Sequence, residues 1–252
     1  MNRQGSIKLA FVVPCFNEAQ RLDAQLFRSF VDTHPHCHLQ FVDDGSTDDT
    51  LRVLEGIRSH RPEQIRITAL AQNAGKAEAV RRGLLEVLKN NPDFVAYWDA
   101  DLATPLEASQ SFVEIFKERE DVEMVFGARV KLMGRDIQRR KRRHYLGRVF
   151  ATCASIALSL SIYDTQCGAK MFRVNPTLRQ LLQEPFHSRW IFDVEIIARF
   201  LHLRKGASRA NIEASIYEYP LMAWRDVHGS KVSVGDGLRA FIELAQIHWR
   251  YR

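Results

Sequence analysis

Asp99 and Asp101 close the apolar run Phe94-Val95-Ala96-Tyr97-Trp98, with only Ala100 between them. In an extended segment, residues i and i+2 share a face, so both carboxylates point the same way. Paired hard oxygens at a strand end suit Mg²⁺ or Mn²⁺. Such an ion can share a nucleotide diphosphate and stabilise the charge that develops as it departs. The same residues also fit a solvated turn before a helix that starts near Thr104-Pro105.

Two other segments carry related chemistry. Asp43-Asp44-Gly45-Ser46-Thr47-Asp48 also follows an apolar run. An ionised Asp44 is an acceptor only, suited to N–H or O–H donors of a base or ribose. Gly45 permits a tight turn, and Ser46 or Thr47 can cap a following helix. Asn73-Ala74-Gly75-Lys76 precedes another helical pattern, where backbone N–H groups and one mobile cation can meet phosphate. The GxxxxGK[ST] spacing of a P-loop is absent. On the residues alone, each segment is equally a plain turn and helix start.

These groups need elements to position them. Lys8 to Val13, Leu39 to Val42, Ile65 to Leu70, Phe94 to Trp98 and Val122 to Phe126 read as buried strands. Between them, apolar residues recur at helical spacing: Leu22, Leu26 and Phe30; Leu51, Leu54 and Ile57; Ala77, Val80, Leu84 and Leu88; Ala108, Phe112, Ile115 and Phe116. This alternation predicts an α/β fold, a mainly parallel central sheet with helices on both faces. No linker or repeat divides the chain, so a single domain over 1–252 is expected. Ligands of such sheets bind beyond the carboxyl ends of the strands, where the polar segments fall.

Composition narrows the class. The chain has 252 residues, 46% hydrophobic and 26% charged, which excludes global disorder and collagen-like repeats. Cys15, Cys37, Cys153 and Cys167 are scattered without a CxxC pair, as expected of reduced thiols rather than a zinc site or disulfide framework. The first residues lack a signal-peptide pattern, and no run of about 18 apolar residues predicts a spanning helix.

In combination the motifs become specific. The order PCFNE, VDDGS, NAGKAEAVRRGL, DADLATP resembles family-2 glycosyltransferases of the GT-A fold. The later DTQCGAKMF and RWIFDVEII are similar to the branch holding dolichyl-phosphate mannose synthases and, more closely, dolichyl-phosphate β-glucosyltransferases. The resemblance runs from about residue 8 to about residue 235. It implies an inverting, metal-dependent hexosyltransferase that uses a UDP-glucose or GDP-mannose type donor, with glucose favoured. Carried over motif by motif, Pro14, Asn17 and Glu18 would line the nucleotide site, with Asp44 at the base and Lys76 nearby. Asp99-Ala100-Asp101 would meet the nucleotide sugar, Asp99 and Asp101 holding Mg²⁺ or Mn²⁺. Lys231 would approach the diphosphate. Asp101, Asp193 and Arg129 are the catalytic candidates, Asp193 as a sugar-orienting group or as base for a hydroxyl acceptor. Gln166, Cys167 and Lys170 would shape the sugar pocket. Mannose synthases often carry Gln two residues after the second Asp; here that position is Ala103.

The net charge of +6 is unevenly placed. From Arg129 to Arg148 there are nine basic residues and one acid, so this segment holds +8 and the remainder −2. An apolar stretch, Val149 to Ile162, follows. The segment 129–162 reads as an acceptor and membrane-surface element, or as a buried helix beside a solvated basic loop. Guanidinium groups pair with phosphate oxygens, and the resemblance implies that arginines here bind a lipid phosphate; Arg129, Arg142 and Arg143 are the candidates. The expected partner is a polyprenyl phosphate, at peripheral contact with the cytoplasmic face of a membrane. Nucleic acid is not expected, since the basic run lacks interleaved stacking aromatics. Two other readings stay open: transfer to a saccharide hydroxyl in cell-surface glycan synthesis, and a non-catalytic membrane-binding protein of the same fold.

Overall fold

Every second residue of the first strand faces a different core. In β1 (Leu9–Cys15), Leu9, Phe11 and Val13 pack on one side of the sheet, Ala10 and Val12 on the other. Both faces are covered, which is why the strands read as unbroken apolar runs. The computed structural model describes residues 7–138, 141–227 and 234–252; the side chains of 141–144, 234–236 and 238 lie outside that description.

The chain continues through α1 (Ala24–Thr33), β2 (Cys37–Asp43), α2 (Thr50–Arg58), β3 (Ile65–Ala69), α3 (Lys76–Val87), β4 (Phe94–Trp98), α4 (Ala108–Glu118) and β5 (Met124–Ala128). All five expected strands form, and the helices alternate with them. Two helical faces are corrected: in α2 Leu54 and Ile57 are buried but Leu51 is 39% exposed. α1 buries Phe27, Phe30 and Val31, while Leu26 is 51% exposed and Leu22 precedes the helix. Asp23 caps α1 by accepting from the N–H groups of Gln25 and Leu26, so the helix starts two residues after Leu22.

Beyond β5 come β6 (Asp136–Gln138), α5 (Lys141–Leu158), β7 (Ala169–Arg173), α6 (Pro176–Leu181), α7 (Phe192–Leu203), α8 (Arg209–Ala214), β8 (Ile216–Pro220), β9 (Ala223–Arg225) and α9 (Val234–Tyr251). The main sheet has the order β3-β2-β1-β4-β7-β5-β8. Pairing is parallel except around β7, which runs antiparallel to both β4 and β5. β6 and β9 form a separate parallel pair. Strand order reverses between β1 and β4, so their carboxyl ends flank the crevice where such sheets bind ligands. β7 places Lys170 between Tyr97 of β4 and Phe126 of β5. α5, α7 and α9 pack together on one face; α1, α2 and α4 cover the other. Among the described residues, no helix is long and apolar enough to cross a membrane. No disulfide joins the four cysteines.

Candidate active site

The site begins with three loops fastened to each other. Asp44 N–H donates to the Cys15 carbonyl at 2.8 Å, tying the ends of β1 and β2. Asn17 then turns with φ +50°, a left-handed conformation that asparagine tolerates, and its Oδ1 accepts from Thr47 N–H at 2.8 Å. Ser46 Oγ accepts from Asn17 N–H, and Thr50 Oγ1 from Glu18 N–H. Gly45 has φ +67°, and a Cβ there would lie 2.6 Å from the Gln72 carbonyl carbon, so only glycine lets the third loop approach.

Asp44 has partners that the sequence did not show. Its carboxylate accepts from the N–H groups of Ala74 (2.7 Å) and Gly75 (2.9 Å) and from Asn73 Nδ2 (3.0 Å). Only 2% of the residue is exposed, and burial pushes its carboxyl up from the usual range. In this structure Asp44 clamps the turn ahead of α3 rather than offering open acceptors to a base. The clamp fixes Lys76, the first residue of α3.

Lys76 and the two aspartates are brought together at the end of β4. Lys76 Nζ lies 2.5 Å from Asp99 Oδ1. Burial disfavours its ammonium, but the charges of Asp99 and Asp193 outweigh that and hold its pKa above the ordinary value. Asp101 Oδ2 lies 2.6 Å from the Arg21 guanidinium, which also bridges to Glu18 at 3.1 Å. Burial first, and then the charge of Asp99, push the Asp101 carboxyl up. Leu102 adopts φ +49°, which turns Ala103 N–H back onto Asp101 Oδ1 at 3.1 Å. Ala100, by contrast, faces the core at 5% exposure. Pro14 sits one residue before the end of β1, paired with Val42.

This donor set fits a hard divalent cation. Two carboxylates repel each other at the end of β4, and each is neutralised by a side-chain cation. Lys76 and Arg21 thus stand where positive charge is needed. Among the described residues, no cluster of three or more His, Cys, Asp or Glu groups forms a closed metal cage. Asp99 and Asp101 would therefore supply only part of a coordination shell, as Mg²⁺ and Mn²⁺ sites shared with diphosphate and water require.

Gly168 sets the position of Asp99. Its carbonyl accepts from Asp99 N–H at 2.8 Å, and a Cβ on Gly168 would lie 1.8 Å from Asp99 Oδ2. Gly168→Ala is expected to displace that carboxylate and lower transfer at least ~10²-fold, the scale of losing one charge-stabilising contact. Circular dichroism would remain close to wild type. Wild-type kcat with saturating metal in the alanine variant would show that Asp99 need not occupy this position.

Beneath Lys76 lies a second charged layer. Lys170 is fully buried; its Nζ is 2.9 Å from Asp193 Oδ1 and donates to the Cys167 carbonyl at 2.6 Å. Tyr97 donates its hydroxyl to the same Asp193 oxygen. Burial pushes Asp193 up to about 8 and Lys170 down to about 8. Asp193 sits in the first turn of α7 at 5% exposure, so it is held under the site rather than open at its surface.

The structure gives Arg129 a partner that the sequence did not suggest. Arg129 makes a paired interaction with Asp164, through Nε at 2.6 Å and a terminal nitrogen at 2.7 Å, and stacks over Trp224 at 5.3 Å. Burial works against its charge, but Asp164 more than offsets that and raises its pKa. Its guanidinium is therefore already partnered, and an incoming phosphate would share it with a carboxylate. Arg148 donates to the Tyr163 carbonyl at 2.6 Å. Arg142 and Arg143 fall in the first turn of α5, but their side chains lie outside the described residues, as does Lys231.

Arg21 and Tyr97 were not anticipated. Tyr97 had a signal, because two residues before Asp99 it shares that residue's face. Arg21 follows Glu18 by three, but nothing local ties it to Asp101, 80 residues away.

Residues 10–179 match the family described as Glycosyl transferase family 2. The chain is 30% identical over 265 residues to a dolichyl-phosphate beta-glucosyltransferase of Saccharomyces cerevisiae, covering 97% of this chain and 75% of the relative. A protein of the same name from Drosophila melanogaster is 30% identical over 242 residues, covering 90% and 70%. Among solved structures, glucosyl-3-phosphoglycerate synthase of Mycobacterium tuberculosis, in complex with Mn²⁺, uridine-diphosphate and glucosyl-3-phosphoglycerate, superposes with a TM-score of 0.64. It covers 96% of this chain and 80% of that one at 17% identity, a likeness of fold. With the paired aspartates, the clamped loops and these matches in agreement, the chain belongs to glycosyl transferase family 2.

Proposed function

We propose that this protein transfers a glucosyl group from UDP-glucose to the phosphate of a polyprenyl lipid, with inversion at the anomeric carbon. The observation that carries the reading is similarity to dolichyl-phosphate beta-glucosyltransferases along 97% of the chain, well beyond the nucleotide half. In the reaction, a lipid phosphate oxygen forms the new bond to C1. The C1–oxygen bond to the diphosphate breaks on the opposite face, and its electron pair leaves with the diphosphate. Asp99 and Asp101 would hold a divalent cation, which would supply charge neutralisation on the departing group.

The chain's own residues do the rest by position and charge. Asn17 and Glu18 frame the nucleotide, and Asp44 acts through the turn it clamps. Lys76 is placed to exchange Asp99 for a diphosphate oxygen. A phosphate acceptor is largely ionised at neutral pH, so no strong base is required. The burial of Asp193 against Lys170 and Tyr97 suits such an acceptor better than a hydroxyl.

The reading includes peripheral contact with an anionic bilayer. α5 exposes Tyr145, Leu146, Val149 and Ile156, and α9 exposes Ile242 and Trp249, the last at 83%. The two helices meet through Phe150 and Phe241, whose rings lie 5.7 Å apart. This apolar surface adjoins the basic segment. Replacing Arg139, Arg140, Lys141, Arg142 and Arg143 by Gln is expected to weaken partitioning to phosphatidylglycerol vesicles by at least ~10-fold at low salt, from ~1 kcal/mol per charge. The loss shrinks in high salt as screening removes the attraction. Partitioning equal to wild type at low salt would reject the basic run as a membrane element.

The function itself is tested by incubating the protein with radiolabelled UDP-glucose or GDP-mannose, Mg²⁺ or Mn²⁺, and a short polyprenyl phosphate. Transfer of glucose into a lipid product that mild acid cleaves is expected. An acid-stable product would instead indicate a hydroxyl acceptor, and no transfer from any donor would remove the enzymatic reading.

A further inference from the structure

Ser188, at 1% exposure, is a hub between the donor site and α9. Its Oγ accepts from the N–H groups of Ile191 (2.7 Å) and Trp190 (3.2 Å), and donates its own proton to Glu243 of α9. The N–H groups of His187 and Ser188 donate to Glu195 of α7 at 2.9 and 3.0 Å. The loop 187–191 is therefore anchored twice, once to buried α7 and once to α9.

The other side of this loop rests on the donor site. The Arg189 carbonyl accepts from Ala77 N–H at 3.2 Å, in the first turn of α3. The Arg189 guanidinium donates to Asn73 Oδ1 at 2.9 Å, on the turn that Asp44 clamps. The Trp190 ring lies 5.9 Å from Lys76 Nζ, which in turn contacts Asp99. An unbroken set of contacts thus leads from Glu243 through Ser188 to Lys76 and Asp99.

α9 is also the helix that exposes Ile242 and Trp249. Glu243 directly follows Ile242, so the turn that would meet lipid also carries the tie to Ser188. In water, the exposed apolar side chains give that helix no partner on this face. α9 already packs on α5 and α7 through Ala240, Leu244 and Ile247; burying Ile242 and Trp249 in a bilayer would add contacts that hold it, and Glu243 with it, against Ser188. We infer that Ser188 and Glu243 are positioning residues through which docking of α9 on a lipid surface orders the loop over the donor site and tightens donor binding. The inference rests on the membrane contact proposed above and adds a coupling that the contact alone does not require. Its physical content is entropic: a loop ordered by docking no longer has to be ordered by the donor.

The test uses the full chain and phosphatidylglycerol vesicles without polyprenyl phosphate. Vesicle partitioning is read by sedimentation, and UDP-glucose affinity by calorimetry with and without vesicles. Wild type is expected to bind UDP-glucose about fivefold tighter on vesicles, within the usual range of coupling between sites. Glu243→Ala and Ser188→Ala are expected to partition as wild type but lose the vesicle effect. Ser188→Thr, which keeps the hydroxyl, is expected to restore it. A merely structural role would lower affinity equally with and without vesicles. Wild type that partitions yet shows no change in donor affinity overturns the inference, as does a full vesicle effect in Glu243→Ala. Wild type that binds UDP-glucose but does not partition overturns the membrane reading, and the coupling falls with it.

Discussion

Asp99→Asn/Asp101→Asn is expected to lower transfer by about 10³-fold while leaving the protein folded. Asparagine keeps the shape of each side chain but removes the negative charge that would hold a cation against the diphosphate. In a partly desolvated site such charge contributes far more than in water. The loss should fall on kcat, since the charge matters most as the diphosphate departs. Stability should change little, because two effects oppose each other. Lys76 and Arg21 lose their partners, but the repulsion that raises the Asp101 carboxyl disappears as well. The measurement is transfer against Mg²⁺ or Mn²⁺ concentration, with a thermal melt of the same samples. Residual activity of the double variant should no longer respond to metal or chelator. Near-wild-type kcat with retained metal dependence would place the cation elsewhere.

What made this pair legible was local. An apolar run ending in two carboxylates one residue apart is a strand end with a charged face, whatever the rest of the chain does. The same holds for β1 to β5, each bounded by polar or turn residues and separated by helical patterns. The antiparallel β7 was not legible, because Ala169–Arg173 has a lysine and an arginine in five residues and sits after a long helix. Only the assembled sheet shows that Lys170 is paired with Asp193 and can therefore be buried. The partner of Arg129 was hidden for the related reason. A basic run in sequence suggests free cations, but Asp164, 35 residues on, folds back to pair with it. Asp44 looked like an open acceptor until the 73–75 turn closed on it. Local chemistry was readable where a residue's partner is solvent or ligand; it was hidden where the partner is another part of the fold.

Lys170→Met is expected to produce an instability that grows with pH, because it strands Asp193. Methionine matches the length of the lysine stem and suits the rings of Tyr97 and Phe126, 5.4 and 5.2 Å from Nζ, so packing loss is small. The carboxylate, however, loses its ion-pair partner in the core, a change that typically costs about 3–5 kcal/mol. Burial already pushes Asp193 up to about 8, and removing the ammonium favours the protonated form further. An acid whose folded pKa is raised contributes most stability below its unfolded pKa, near 4, and loses it as pH rises through the folded value. Between those limits stability falls by about 1.4 kcal/mol per pH unit. Wild type, whose Asp193 sits near 8, shares this fall up to about pH 8 and then levels off, whereas the variant, with a still higher folded value, keeps falling above pH 8. The deficit of the variant against wild type therefore opens above pH 8, by about 1.4 kcal/mol per pH unit. Lys170→Met/Asp193→Asn has no carboxylate to ionise there, so its own stability should lack this fall with pH. Thermal melts of the three proteins from pH 5 to pH 10 separate the cases. A deficit in Lys170→Met that is the same at both ends would mean that lost packing, not a stranded carboxyl, destabilises it, and that Asp193 does not depend on Lys170 for its charge.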